Sequence, residues 1–546
     1  MRKLTLLLVV LIAQFSLAQA KTTVSGKVVG NDRRPMTMAH VHLLRMLQEE
    51  PLASVAVGAD GSYSLSGIDN GLYTIQFTGI GHKLYEMPLL VNTSKPIQLD
   101  ARLAPNQFRL DSVMIIGDFN NFAFRNPQPM TRQENGTYVA EFDAPAKEFA
   151  YQIMGTVDGH SVNGTMADSY VYDGGGDYRS IVLTKNGRAR IVFDPAQVNS
   201  PKATVAEVLF RDTRSVAARF AEVSADMKER RARFMAAVNE YRATGKEMKD
   251  FTYDWSADLV KLSRSIRGET DPLLRQAFYM SYIDLTTLRP STPIDTVLMQ
   301  AATNMIPPNS ILLAMNPTIM ESAFTAAGNA KGYDAYVARV LAEHPDMNVR
   351  GAMLFSGLQD AYYSRNLEKT KLYYNQITKD FAGTQWENMA SRFSPDRTVI
   401  EGKQIPSFRF VSLDNPSVTY TAESMKGKYY MIDFWATWCG PCIAEMDNLH
   451  KAYEKYHGRN FEILSLSFDE KPETVGSYRQ KKYKMPWAHG FVEGNFKSDI
   501  ARAFEVTGIP KPILVDPNGN IVAMEVDLRG DNLDATLARV LGPAAN

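Results

Sequence analysis

Both cysteines of the 546-residue chain fall in one stretch, Asp433-Phe-Trp-Ala-Thr-Trp-Cys-Gly-Pro-Cys442. The residues leading to Cys439, YYMIDFWAT, make an apolar run of strand length; those following, GPCIAEMDNLHKAYEKYHG, carry helical spacing closed by Gly458. The pair therefore stands at a strand-to-helix junction. Two intervening residues close too small a loop to restrict the unfolded chain much, so the thiols serve chemistry or metal rather than stability.

Zinc requires four ligands, and neither a second CxxC nor an HxxxH exists to complete a set, so no metal site is expected. Attachment of a c-type haem needs His after the second cysteine, where Ile443 stands. A peroxide-reducing cysteine in a PxxxTxxC pattern needs Thr three positions ahead, but Thr437 is two before Cys439. A redox dithiol remains, with no cofactor. Cys439 is expected exposed at the helix N-terminus, where unpaired N–H groups and the dipole favour a thiolate and so a nucleophile. Cys442, one turn on and more buried, would resolve the mixed disulfide. Gly440 and Pro441 set the turn between them, and Pro441 lacks the N–H that a first helical turn leaves unused.

After Ser394-Pro395, FEILSLSFD reads as a second buried strand and ETVGSYRQKKYK as a helix. KPILVDPNGNIVAMEV reads as a hairpin around Pro517-Asn518-Gly519 and DNLDATLARVL as a last helix. Two helix-connected β units with a terminal hairpin fit the α/β thioredoxin fold. The run PSFRF…MKGKYYMIDFWATWCGPCIAEMDNL, followed by FEILSLSFD and FEVTGIPKPILVDPNGNIV, resembles the periplasmic thiol:disulfide oxidoreductases related to TlpA and ResA. The resemblance implies that Cys439 attacks, that Cys442 resolves, and that Trp438 flanks the site. It also implies a cis bond before Pro510, which presents the backbone of Ile509 to a substrate strand. The family commonly continues with Thr; Lys511-Pro512 follows here.

Two carboxylates are candidates for the proton of the resolving thiol. Asp433, six before Cys439, matches the buried acid of thioredoxins, and Glu445, three after Cys442, matches the acid of the ResA-like branch. A carboxyl in an apolar strand–helix interface has a raised pKa and can act as a base near neutrality. Glu445 has an alternative as a solvated first-turn residue, whereas an unpaired acid buried within MIDFW is costly to keep there without a chemical role.

The rest of the chain sets the context. MRKLTLLLVVLIAQFSLAQA has the basic start, short apolar core and Ala-Gln-Ala end of a cleavable signal peptide over residues 1–20, with no cysteine nearby for a lipid anchor. Later apolar stretches are broken by charges, so no membrane-spanning helix is expected. Short β runs over 21–104 resemble a carboxypeptidase-regulatory-like sandwich, with His40 and His42 on one strand face as a satisfied or exposed pair. Residues 105–197 resemble an Ig-like domain related to carbohydrate-binding modules; the lack of Trp there favours a spacer or docking role. Residues 198–395 show helical spacing, and 396–546 is the thioredoxin-like domain. Sixty basic and sixty acidic residues cancel, so nothing draws nucleic acid or anionic lipid.

The expectation is an exported, periplasmic multidomain thiol:disulfide oxidoreductase. It reduces disulfides of exported proteins, apocytochrome c being a candidate, and a membrane thiol transporter supplies its electrons. Gly-Pro between the cysteines resembles reducing thioredoxins. The alternatives are a disulfide oxidase or isomerase, and a docking protein with an inert thioredoxin-like domain.

Overall fold

The computed structural model describes residues 21–542 except 49, 107–109, 124–126, 157–160, 175–176, 199–204, 247–249 and 289–292. The expected signal peptide over 1–20 thus lies outside the described residues. The chain packs as two compact units, Met1–Met353 and Leu354–Asn546. The division falls within the helix Met347–Tyr363, and the expected domain edge at 395/396 lies inside the second unit.

In the first unit, two four-stranded sheets share a core of Val24, Leu99, Val41, Phe77 and Leu89. Strand Ser62–Ile68 alternates outward and inward residues, as a half-buried strand must. One edge strand, Glu207–Phe210, comes from the region expected to be helical, and it pairs antiparallel with Ile97–Arg102. Its Val208 and Phe210 pack against the sandwich core, and Arg102 pairs with Glu207 at 2.6 Å. A free sheet edge here outweighs the helical pattern that starts a few residues later.

Between those two strands the chain builds a five-stranded and a three-stranded sheet around Ile115, Tyr151, Ile191 and Phe193. His40 and His42 are each met from this side: His40 Nδ1 shares a hydrogen bond with the Tyr178 hydroxyl at 2.7 Å, and His42 Nε2 with that of Tyr172 at 3.0 Å, while His42 Nδ1 is buried without a partner among the described residues. Burial first, and His40 second, push the His42 imidazole down to about 4, so it stays neutral. From Ser215, whose hydroxyl caps the 28-residue helix Val216–Ala243, the unit is helical. Among the described residues no helix is long and apolar enough to cross a membrane.

The second unit holds a five-stranded sheet in the order Ala488–Phe491, Phe461–Ser467, Tyr429–Trp435, Lys511–Val515, Ile521–Met524. Tyr429–Trp435 is central and buried at every position after the first, which accounts for its apolar sequence, broken only by Asp433. It runs parallel to Phe461–Ser467 and antiparallel to Lys511–Val515. The last two strands form the expected hairpin, turning through Gly519 at φ 86°. Helices Met446–Tyr456 and Asp531–Leu541 pack together, and Leu449 and Leu537 enter the sheet core. The segment Leu367–Phe393, short helices with a buried Trp386 and Phe393, belongs to this unit as well.

Candidate active site

The central strand ends at Trp435, and four residues later the chain enters a helix at Cys439. The turn between is held by Asp469, just past the neighbouring strand. The Thr437 hydroxyl donates to its Oδ1 at 2.7 Å, the Thr437 N–H to its Oδ2 at 3.1 Å, and the Ser467 hydroxyl to Oδ2 at 2.7 Å. Asp469 is a site residue that the sequence does not announce; its only signal is an acid closing an apolar strand.

Cys439 caps the helix Gly440–Ala444 and is bonded to Cys442 in a disulfide; its Sγ accepts the Cys442 N–H at 3.2 Å. Gly440 and Pro441 form the exposed first turn. Trp438 is 38 % exposed beside them. The helix start predicts an exposed Cys439, but in this oxidised pair it is 4 % exposed and Cys442 2 %. The capping geometry accounts for the difference, since a side chain that turns back to accept the Cys442 N–H and bond its sulfur is covered by its own helix.

The peptide bond Ile509–Pro510 is cis. In the sheet register Lys511 pairs with Phe434, so Pro510 lies level with Trp435, the last residue of the central strand from which the dithiol turn leaves. Pro510 is buried and Ile509 half-buried. Next to them a cavity of about 510 Å³ is lined by Tyr363, Arg392, Arg397, Lys511 and Arg529 among others. Lys511 turns its side chain inward to donate to the Glu505 carbonyl at 2.7 Å. Burial, helped by the Arg397 charge, lowers the Lys511 ammonium to about 8.

Of the two acids, Asp433 is fully inside. Burial pushes its carboxyl up to about 6, against a Ser465 hydrogen bond and the charge of Arg529, with the charge of Glu445 adding to the rise. Glu445 is half-buried where Gly440–Ala444 gives way to Met446–Tyr456; its Oε2 accepts the Gly530 N–H and the Asn448 amide, both at 2.9 Å. It is therefore tied to the loop after the sheet rather than solvated in a first turn. Arg529, beside Gly530, donates to the Pro510 carbonyl. The sequence gives no sign of this contact, because the arginine follows the last strand and only the fold returns it to the cis-proline loop.

Residues 427–521 match the thioredoxin-like family model. The chain is 27% identical over 149 residues to the thiol-disulfide oxidoreductase ResA of Bacillus cereus, covering 27% of this chain and 81% of that protein. Over 145 residues it is 28% identical to the thiol:disulfide interchange protein DsbE of Escherichia coli, covering 26% of this chain and 75% of the relative. A solved thioredoxin domain of a thiol-disulfide oxidoreductase from Bacteroides vulgatus is 29% identical, covering 26% of this chain and 98% of that one, with a TM-score of 0.24.

Proposed function

From a C-terminal domain that is thioredoxin-like and related to the ResA and DsbE oxidoreductases, we propose that this protein is exported and reduces disulfides of other exported proteins through Cys439 and Cys442. The Cys439 thiolate attacks one sulfur of a substrate disulfide; that bond breaks, a mixed disulfide forms, and the second substrate sulfur leaves as a thiolate that takes a proton. Cys442 then yields its proton to Asp433 and attacks the Cys439 sulfur, restoring the Cys439–Cys442 disulfide and expelling the first substrate sulfur as a thiolate, which takes a proton from solvent. Two electrons pass to the substrate, and a membrane thiol transporter replaces them.

The observation that carries this reading is the Cys439–Cys442 disulfide at a helix start, on the strand that pairs beside a cis Ile509–Pro510 bond. Trp438 flanks the sulfurs and the Ile509 backbone offers its hydrogen-bonding groups to a substrate strand. The alternative of a disulfide oxidase requires an over-stabilised thiolate. Gly440 and Pro441 bring no charge beside Cys439, and two acids lie behind the pair, which supports electron donation.

A glutathione redox titration of the full chain tests the direction. The expected midpoint is nearer about −270 mV than about −120 mV, a gap worth roughly 7 kcal/mol for two electrons. A midpoint more oxidising than about −180 mV makes the protein an oxidase or isomerase instead.

A further inference from the structure

Resting on that reading of the dithiol, we propose that Arg529 is a positioning residue of the site, one side chain that holds the Pro510 carbonyl and sets its charge against the buried Asp433 carboxyl. The loop that receives substrate and the acid that takes the resolving thiol's proton are then fixed by the same guanidinium.

Three observations converge on it. The Arg529 Nη2 donates to the carbonyl of the cis-bonded Pro510. The next residue, Gly530, donates its N–H to Glu445 Oε2 at 2.9 Å, so residues 529 and 530 are pinned both to the cis-proline loop and to the helix that follows Cys442. Finally, Asp433 pairs in register with Pro512, two residues past the carbonyl that Arg529 holds, and the Arg529 charge acts on the Asp433 carboxyl.

The charge has a definite effect. The groups acting on Asp433 are the Ser465 hydroxyl from the adjacent strand, Glu445 from the helix after the cysteines, and Arg529 from beyond the last strand. Burial and Glu445 favour the protonated acid; Arg529 and Ser465 favour the carboxylate. Removing Arg529 therefore raises the pH at which Asp433 becomes a base. Freeing the Pro510 carbonyl also loosens the backbone of Ile509 and weakens pairing with a substrate strand.

The test uses the full chain with Arg529→Gln, Arg529→Met and Arg529→Lys, measuring kcat and KM for reduction of insulin as a function of pH. Gln and Met are expected to move the acidic limb of kcat up by about one pH unit, a turnover about tenfold lower below the limb. Met is also expected to raise KM. Lysine, with charge but no planar fork, should restore the limb and not KM. In parallel, the Asp433 carboxyl is titrated by infrared difference spectroscopy in the oxidised protein, with Asp433→Asn assigning the band. A folded Arg529→Gln or Arg529→Met protein whose Asp433 titration is unmoved overturns the proposal. If the wild type itself fails to reduce insulin, the reductase reading falls, while the carboxyl titration needs no turnover and still decides the role of Arg529.

Discussion

The Ser465 hydroxyl donates to Asp433 Oδ2 at 3.2 Å, and the same hydroxyl oxygen accepts the Trp487 indole N–H at 2.8 Å. The acid behind the dithiol is thus met by a neutral hydroxyl that is itself held in place by a buried ring. That is far less than a buried charge needs, and the carboxyl responds by keeping its proton until about pH 6.

Asp433→Asn should therefore stabilise the fold and slow the chemistry. The folded carboxyl titrates near 6 and the unfolded one near 3.8. Between these values the folded chain holds a proton that the unfolded chain has released. Stability conferred by the wild-type acid thus falls as pH rises through that window and stays low above it. The variant should gain about 2–3 kcal/mol above pH 6 and nothing below pH 4, read from denaturant unfolding at both pH values. Resolution of the mixed disulfide near neutrality should slow by roughly a hundredfold.

In the reduced protein Cys439 should be alkylated much faster than Cys442, with an apparent pKa below the free-thiol value of about 8.5. Breaking the disulfide releases the Cys439 sulfur from Cys442 and leaves it at the helix start. Equal alkylation rates at neutral pH contradict the assignment. Cys442→Ser should accumulate mixed disulfides, whose masses identify the substrates.

The second compact unit predicts a stability difference between two truncated chains. Arg397 Nη1 donates to the Tyr362 hydroxyl at 3.2 Å while Nε donates to Glu505 at 2.8 Å, and Arg365 pairs with Asp527 at 3.0 Å. A chain of residues 354–546 keeps all three contacts; one of 396–546 loses the first and third. The shorter chain should be less stable by about 2 kcal/mol, since the buried hydrogen bond counts for more than the exposed ion pair. Equal unfolding midpoints would support the expected domain edge at 395/396.

Asp469→Ala should damage the site without touching a sulfur. It strands the Thr437 N–H and hydroxyl and the Ser467 hydroxyl in a buried corner, at a cost of about 3 kcal/mol. With the turn before Trp438 loosened, disulfide reduction should fall more steeply than the unfolding midpoint accounts for. A variant equally unstable but fully active at low temperature refutes the positioning role.

The local features were legible where short-range pattern and tertiary demand coincide. YYMIDFW reads as a buried strand because the central position allows no polar face, and CGPC reads as a helix start because Pro441 suits a first turn. Ile509-Pro510 was legible only through resemblance. Strand Ala488–Phe491 was not read, since glycine is a poor strand former; a Cβ at Gly490 would come within 2.4 Å of the Phe410 ring, so packing dictates the residue there. Asp469 and Arg529 were missed for a related reason: their roles depend on partners 32 and 19 residues away, which no periodicity reports. The strand Glu207–Phe210 escaped because four residues next to a 28-residue helix carry too little pattern of their own.

That strand has a consequence for how the chain is made and how it arose. Glu207 pairs with Arg102, so two adjacent strands of one sheet are joined by everything between them, including a second β-module with its own core. The module is a guest lodged in a hairpin of its host. During synthesis the host edge waits, uncapped, until the guest has left the ribosome. In the genome, the guest could be gained or lost at that hairpin while the host sheet kept both of its strands.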